Sequence, residues 1–386
     1  MSISAVSLAP SVANQDKIRV MVVDDSVVIR GLLSRWLSEE DSIEVVASHR
    51  NGAFAVNDIL KSDPDIVVLD IEMPEMDGME ALPKLLKLKP TLTVIMASTL
   101  TERNAKISME ALALGAQDYI PKPSGNHGVT TSVEFRRELV SKVLALGGKA
   151  LRVARKPANL RPAAASKATI ARPVLESGAS DEISLRPLNR TKPRVLTIGC
   201  STGGPSALRN FMTPQLVGVM KNFPVLLTQH MPATFTALLA SQLGEQTGIA
   251  SAEGIDGEML QPGHLYVAPG GRHMLLKQDD AGVRIALEDG PMINFCKPSV
   301  DPLFKSVAQI YRNAALGVIL TGMGNDGSDG SEMIADAGGN ILAQDEETAV
   351  VWGMPGAVAK RGICAGVYPL NELSVRTASI LGGNFG

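Results

Sequence analysis

A serine set among glycines carries the first chemistry in this chain. Residues 194–204 read Arg-Val-Leu-Thr-Ile-Gly-Cys-Ser-Thr-Gly-Gly, and Pro205 follows. The β-branched run 195–198 predicts a buried parallel strand, Gly199, Gly203 and Gly204 permit a sharp turn, and Pro205 suits the first turn of a helix. Ser201, at the centre of Gly-x-Ser-x-Gly, then matches a nucleophile elbow, which pushes a hydroxyl out beyond the sheet edge. The same glycines would equally serve a phosphate-binding loop at a helix N-terminus, or a tight turn with no chemistry. Partners decide between these. His230 follows the apolar run 224–229, and Asp326 lies in Gly322-Met-Gly-Asn-Asp-Gly327 after the run 317–321. Alone, the histidine reads as a hydrogen-bonding group and the aspartate as a turn residue. Together, three strand ends supply nucleophile, base and orienting acid: His230 takes the Ser201 proton and Asp326 fixes the imidazole tautomer. The amide of Thr202 is an oxyanion candidate, with a second near Met323. The chain order Ser, His, Asp differs from that of α/β-hydrolases and of chymotrypsin-like and subtilisin-like enzymes, so membership of those folds does not follow.

Other candidates are weaker. Cys200 is off the central elbow position and reads as a small packing residue. His264 and His273 flank Tyr266-Val-Ala-Pro-Gly-Gly271 and read as structural or substrate-wall groups. Asp301, in Pro298-Ser-Val-Asp, reads first as a helix cap and second as a rival acid for the triad. No Cys/His cluster has zinc spacing.

A second constellation precedes the first. Apolar runs at 19–23, 44–47, 65–69, 93–97 and 118–120 alternate with helical patterns, which specifies a parallel sheet covered on both faces. Its strand ends carry Asp24 and Asp25, Asp70, Ser98 and Lys122. Three converging carboxylates repel one another unless a cation sits among them, and an all-oxygen set suits Mg2+. A lysine and a hydroxyl aimed at the same place would stabilise a phosphoryl group on one carboxylate.

The elements that must hold these groups divide the chain. Its 386 residues suggest roughly two or three domains. Residues 1–16 read as a disordered leader, 17–146 as the first domain, 147–193 as a flexible linker without Phe, Tyr or Trp, and 194–386 as the second domain. A net charge of -3 gives no general pull toward nucleic acid or anionic membrane. Three widely spaced cysteines argue for a reducing compartment and against a disulfide framework, and no stretch is apolar enough to span a bilayer. A soluble, cytoplasmic, monomeric protein is expected.

The first segment resembles a two-component receiver domain, through Val-Val-Asp24-Asp25-Ser, Asp70-Ile-Glu-Met-Pro-Glu-Met-Asp77-Gly78, Ser98-Thr99 and Tyr119-Ile-Pro-Lys122-Pro123. That resemblance implies Asp70 as phosphoacceptor and Asp24, Asp25, Asp70 and the carbonyl of Glu72 as the Mg2+ site, Asp24 acting mainly through water. It implies Ser98 and Lys122 as phosphoryl contacts, and Tyr119 as an aromatic switch. The Lys122-Pro123 bond is a candidate cis peptide. The second segment resembles the catalytic domain of the chemotaxis protein-glutamate methylesterases, through Ile198-Gly-Cys-Ser-Thr-Gly-Gly204, Gln229-His230-Met-Pro232, Tyr266-Val-Ala-Pro-Gly270, Lys297-Pro-Ser-Val-Asp301 and Leu320-Thr-Gly-Met-Gly-Asn-Asp326-Gly. Cys296 and Lys297 stand where His-Arg is more usual in that family.

The resemblance implies two doubly wound parallel-sheet α/β domains, a flavodoxin-like receiver and a Rossmann-like hydrolase domain, joined by the linker. It implies Ser201, His230 and Asp326 as the triad, chemoreceptor glutamyl methyl esters as substrate, glutamine deamidation as a second activity, and a chemotaxis histidine kinase as phosphodonor. Mg2+ belongs to the receiver, and the esterase needs no cofactor. Two other classes stay open: a receiver-controlled hydrolase of another ester or amide, and a non-catalytic signalling adaptor.

Overall fold

The structure, a computed structural model, describes residues 17–99, 101–122, 133–155 and 183–385. The first domain alternates β1 (Ile18–Val23), α1 (Val27–Ser38), β2 (Ile43–His49), α2 (Gly52–Ser62), β3 (Ile66–Asp70), α3 (Gly78–Leu88), β4 (Thr93–Thr99), α4 (Glu102–Leu114), β5 (Asp118–Lys122) and α5 (Val133–Arg155). Its parallel sheet has the order β2-β1-β3-β4-β5. Local chemistry starts the helices: the side chains of Ser26, Asn51, Asp77 and Thr101 each accept a first-turn backbone N–H. Every residue of β3 is buried, as a central parallel strand requires.

Described elements run into both ends of the segment read as a linker. Helix α5 runs through Gly147 and Gly148 to Arg155, beyond the expected start of the linker. Gly147 lets the helix lie directly on β1, since a Cβ there would meet Ile18 side-chain atoms at 2.5 Å. At the other end, residues before Arg194 pack onto the second domain: Arg186 N–H donates to the Cys364 carbonyl, and Asn189 exchanges hydrogen bonds with Asn340. The leader 1–16, residues 156–182 of the linker and the Lys122-Pro123 bond lie outside the described residues; a cis peptide occurs at Lys297-Pro298.

The second domain begins with β6 (Val195–Cys200), α6 (Gly204–Phe211), α7 (Pro214–Met220), β7 (Val225–Gln229), α8 (Ala233–Thr247), β8 (Ala250–Glu253) and β9 (His264–Val267). A hairpin, β10 (His273–Asp279) and β11 (Gly282–Glu288), leads to α9 (Val300–Tyr311) and β12 (Ala315–Ile319). It closes with α10 (Ser328–Asp336), β13 (Asn340–Gln344), α11 (Met354–Lys360), β14 (Gly366–Tyr368) and α12 (Leu370–Leu381). The seven-stranded sheet, β14-β13-β12-β6-β7-β9-β8, is parallel throughout. From β6 the chain builds outward through β7 on one side and later through β12 on the other, so the strand order reverses between β6 and β12, where ligands of open α/β sheets bind.

The two domains share apolar surface. One buried cluster runs from Met109, Leu112 and Tyr119 of the first domain into Leu208, Phe211 and Phe235 of the second. The Tyr119 and Phe235 rings stack in parallel, 4.2 Å between centroids, and Arg209 Nη2 donates to the Leu112 carbonyl at 2.7 Å. On the other side Arg137 of α5 lies over the Phe295 ring at 3.8 Å, and Met323 and Val350 pack on the cluster containing Phe135, Leu139 and Val143.

Candidate active site

Strand β6 ends at Cys200, and Ser201 follows, its N–H donating to the Thr321 carbonyl at 3.0 Å. Gly203, at φ 75°, makes the turn that starts α6. Beneath the turn, Gln229 Nε2 donates to the Ser201 carbonyl at 3.0 Å and ties the ends of β6 and β7 together. His230 is bound at the same edge, its N–H donating to the Cys200 carbonyl at 3.2 Å. Among the described residues neither the Thr202 nor the Met323 N–H has a hydrogen-bond acceptor.

Asp326 carries most of the site's order. Its Oδ2 lies 2.7 Å from His230 Nε2 and accepts the Val300 N–H at 2.7 Å; its Oδ1 accepts Ser299 Oγ–H at 2.6 Å and Asn294 Nδ2–H at 3.2 Å. The Val300 amide belongs to the N-terminus of α9, which favours an anion. Burial works to raise the Asp326 pKa, but His230, Ser299 and the Val300 amide hold it well below the usual carboxylate range. For His230, burial opposes the charged ring, yet the Cys296 sulfur and the Asp326 carboxylate outweigh it and raise its pKa to about 10. With Nε2 on Asp326, Nδ1 is the nitrogen left to act as base. It faces Cys296 Sγ at 3.3 Å, and no hydrogen bond joins His230 to Ser201 Oγ in this structure. The structure thus brings His230 and Asp326 into contact and Ser201 to the same rim without a bond.

The remaining candidates sort by contact. Asp301 is not the cap of α9, whose N-cap is Ser299; its buried Oδ1 accepts the Gly330 N–H at 2.7 Å, and its pKa is pushed up to about 6, chiefly by burial. It does not touch His230. His273 is buried, with Nε2 on the Pro291 carbonyl and Nδ1 accepting the Ser299 N–H. His264 stacks on Tyr266, and Cys200 is fully buried. Ser299, Val300 and Asn294 as the holders of Asp326, and Cys296 as a neighbour of the His230 ring, are not visible from spacing. The Ser-Val-Asp run before a helix reads as a cap, and only the fold turns Ser299 and the Val300 amide toward Asp326.

In the first domain Lys122 Nζ bridges Asp24 Oδ2 at 2.6 Å and Asp70 Oδ1 at 2.7 Å. Burial is the main cause that pushes the Asp70 pKa up, to about 6; Lys122 opposes this and Asp24 adds to it. Oxygen atoms of Asp24, Asp25 and Asp70 lie within 4.8 Å of one another, and exposed Asp25 and Glu72 open the cluster to solvent. That donor set fits Mg2+, which keeps several waters beside one or two carboxylates. Ser98 Oγ pairs with Ser108 Oγ at 2.9 Å and is not bonded to Asp70.

Fold and site together define a receiver domain joined to an α/β domain that carries a Ser/His/Asp constellation at its switch point. Residues 20–134 match the response regulator receiver domain family and residues 196–376 match the CheB methylesterase family. The chain is 50% identical over 378 residues, 95% of both chains, to a protein-glutamate methylesterase/protein-glutamine glutaminase of group 2 operon from Bradyrhizobium diazoefficiens. It is 50% identical over 372 residues, 96% of both chains, to a protein-glutamate methylesterase/protein-glutamine glutaminase from Nitrobacter hamburgensis. A crystal structure of the Thermotoga maritima CheB methylesterase catalytic domain is 35% identical, with TM-score 0.47, covering 49% of this chain and 100% of that one. The chain belongs to the protein-glutamate methylesterase/protein-glutamine glutaminase family.

Proposed function

We propose that this chain is a phosphorylation-regulated serine hydrolase that cleaves glutamyl methyl esters on the cytoplasmic helices of chemoreceptors, releases methanol and deamidates receptor glutamines. The observation that carries the reading is the Asp326–His230 pair at the rim beside Ser201, with Nε2 held and Nδ1 left as base. Ser201 Oγ attacks the ester carbonyl as His230 Nδ1 accepts its proton, and Asp326 stabilises the imidazolium. The Thr202 and Met323 amides receive the negative oxygen. His230 then protonates the leaving methoxide, or the amide nitrogen so that ammonia departs, and water repeats the cycle on the acyl-serine.

Asp70 accepts the phosphoryl group from a chemotaxis histidine kinase, with Lys122 and Ser98 on its oxygens. Asp25, Asp70 and the Glu72 carbonyl, with Asp24 mainly through water, would hold Mg2+, which when bound would offset negative charge at the phosphoryl group. Ser98 must turn from Ser108 to do so. The unphosphorylated receiver restrains the hydrolase through the Tyr119–Phe235 stack, since Phe235 lies in the first turn of α8, just after His230. Residues 17–146 act as receiver, 194–386 as catalytic domain, and the protein works in the cytoplasm as a monomer. Among the described residues no helix is long and apolar enough to cross a membrane.

The test is mass spectrometry of a methylated chemoreceptor before and after incubation with phosphorylated full-length protein and with Ser201→Ala. Loss of methyl groups with the first and retention with the second is expected. Equal demethylation by both would sink the assignment of Ser201.

A further inference from the structure

The hydrolytic mechanism leaves one reactive group beside His230 unused. Cys296 Sγ lies 3.3 Å from His230 Nδ1 and 3.3 Å from the Asn294 carbonyl, while Asp326 holds the opposite ring nitrogen at 2.7 Å. Sulfur, imidazole and carboxylate atoms all fall within 4.8 Å of one another. This is the thiol–imidazole–carboxylate order in which the ring can take the thiol proton as the sulfur attacks, with the carboxylate stabilising the imidazolium that forms. The other two cysteines are packed away. Cys200 and Cys364 are fully buried, and burial pushes both thiols up, Cys364 to about 12. Cys296 is partly exposed, on a loop where Asn294 and Phe295 both adopt left-handed backbone, at φ 50° and 62°. Non-glycine residues bear that strain where the surroundings fix them, often at functional sites.

We infer that Cys296 is a peroxide-sensitive modification site that switches the hydrolase off. The inference rests on the hydrolase reading above. Cys296 Sγ attacks one oxygen of hydrogen peroxide as His230 Nδ1 takes the thiol proton; an S–O bond forms as the O–O bond breaks, and the departing hydroxide takes that proton from His230 and leaves as water. Sulfur is oxidised by two electrons, peroxide is reduced to water, and the product is a sulfenic acid. Its hydroxyl stands at His230 Nδ1, the nitrogen that must accept the Ser201 proton, so attack stops. A dithiol reductant returns the free thiol, first through a mixed disulfide that expels water and then by closing its own ring.

Full-length protein is treated with hydrogen peroxide, trapped with a sulfenic-acid-specific dione, and its three cysteine peptides are weighed; methanol release from methylated receptor is followed in parallel, before and after dithiothreitol. Labelling of Cys296 at least about 10-fold faster than Cys200 or Cys364 is expected, because it is accessible and has a base beside it while they are buried. Methanol release falls with it and recovers with the dithiol, which does not reverse methionine oxidation. Cys296→Ser, compared with its own untreated rate, keeps that rate after peroxide. Equal peroxide loss in Cys296→Ser, or labelling confined to the other cysteines, overturns the inference. If untreated protein releases no methanol, the hydrolase reading fails instead; labelling still decides the thiol, selective label supporting it and absent label refuting it.

Discussion

Tyr119 of the receiver stacks face to face on Phe235 of the catalytic domain, 4.2 Å between ring centroids and 4° from parallel. Phe235 is fully buried and belongs to the helix that leaves the His230 strand end, so the contact joins Tyr119, the proposed aromatic switch, to the backbone beside His230, the proposed base. Tyr119→Ala is expected to raise the activity of unphosphorylated full-length protein by roughly 5- to 150-fold, the range of a coupling of about 1 to 3 kcal/mol. Phosphorylated protein should change far less. Initial rates of methanol release in both states check this, and a Tyr119→Ala protein as quiet as the parent removes the stack from the regulatory account.

Asp326 accepts four hydrogen bonds, so its removal has two costs. Asp326→Asn keeps the shape but puts an NH2 against donors, lowering stability by about 1 to 3 kcal/mol. Turnover should drop about 10^2- to 10^4-fold as the imidazole loses its orienting charge. Ser201→Ala, by contrast, should abolish turnover with a melting temperature within a few degrees of the parent. Thermal unfolding run beside the ester assay separates the two; an Asp326→Asn enzyme with full rate would transfer the orienting role elsewhere.

The pH response follows from His230. Its ring, ordinarily near 6.5, is raised to about 10 despite burial, because the Cys296 sulfur and Asp326 favour the charged form. The base must be unprotonated, so activity of unphosphorylated protein should climb as pH rises from neutrality toward 10. Cys296→Ala should move the midpoint down. Stability has the opposite sign: the folded ring binds its proton more tightly than the unfolded one, so the contribution is full below about 6.5 and is lost as pH rises through about 10. Rate profiles with coincident midpoints for parent and Cys296→Ala would contradict this.

Lys122 is the cation between two buried carboxylates, Asp24 and Asp70. Lys122→Met should cost about 1 to 3 kcal/mol, less than an unrelieved buried charge, because Asp70 neutralises itself by binding a proton. Added Mg2+ should restore part of that loss by binding the folded receiver alone. Denaturant titrations at several Mg2+ concentrations measure both effects, and identical midpoints for variant and parent would show the lysine to be inert.

Strand ends bearing Asp24, Asp70, Lys122, Ser201, His230 and Asp326 were legible because β-branched runs, glycine turns and helix caps are local signals, and parallel sheets place strand ends on one rim. Helix α5 passed through two glycines because packing of Gly147 on Ile18 outweighs weak helix propensity. Which atoms meet was not local. His230 and Asp326 are 96 residues apart, and the nitrogen each partner takes depends on side-chain directions set by the whole fold. The same holds for Ser98 turned to Ser108, Cys296 at Nδ1, and Tyr119 on Phe235. The sequence by itself determined the two sheets and the chemistry on their rims; tertiary structure alone decided the pairings, because contacts a few ångströms long are fixed by packing between segments that carry no sequence signal for one another.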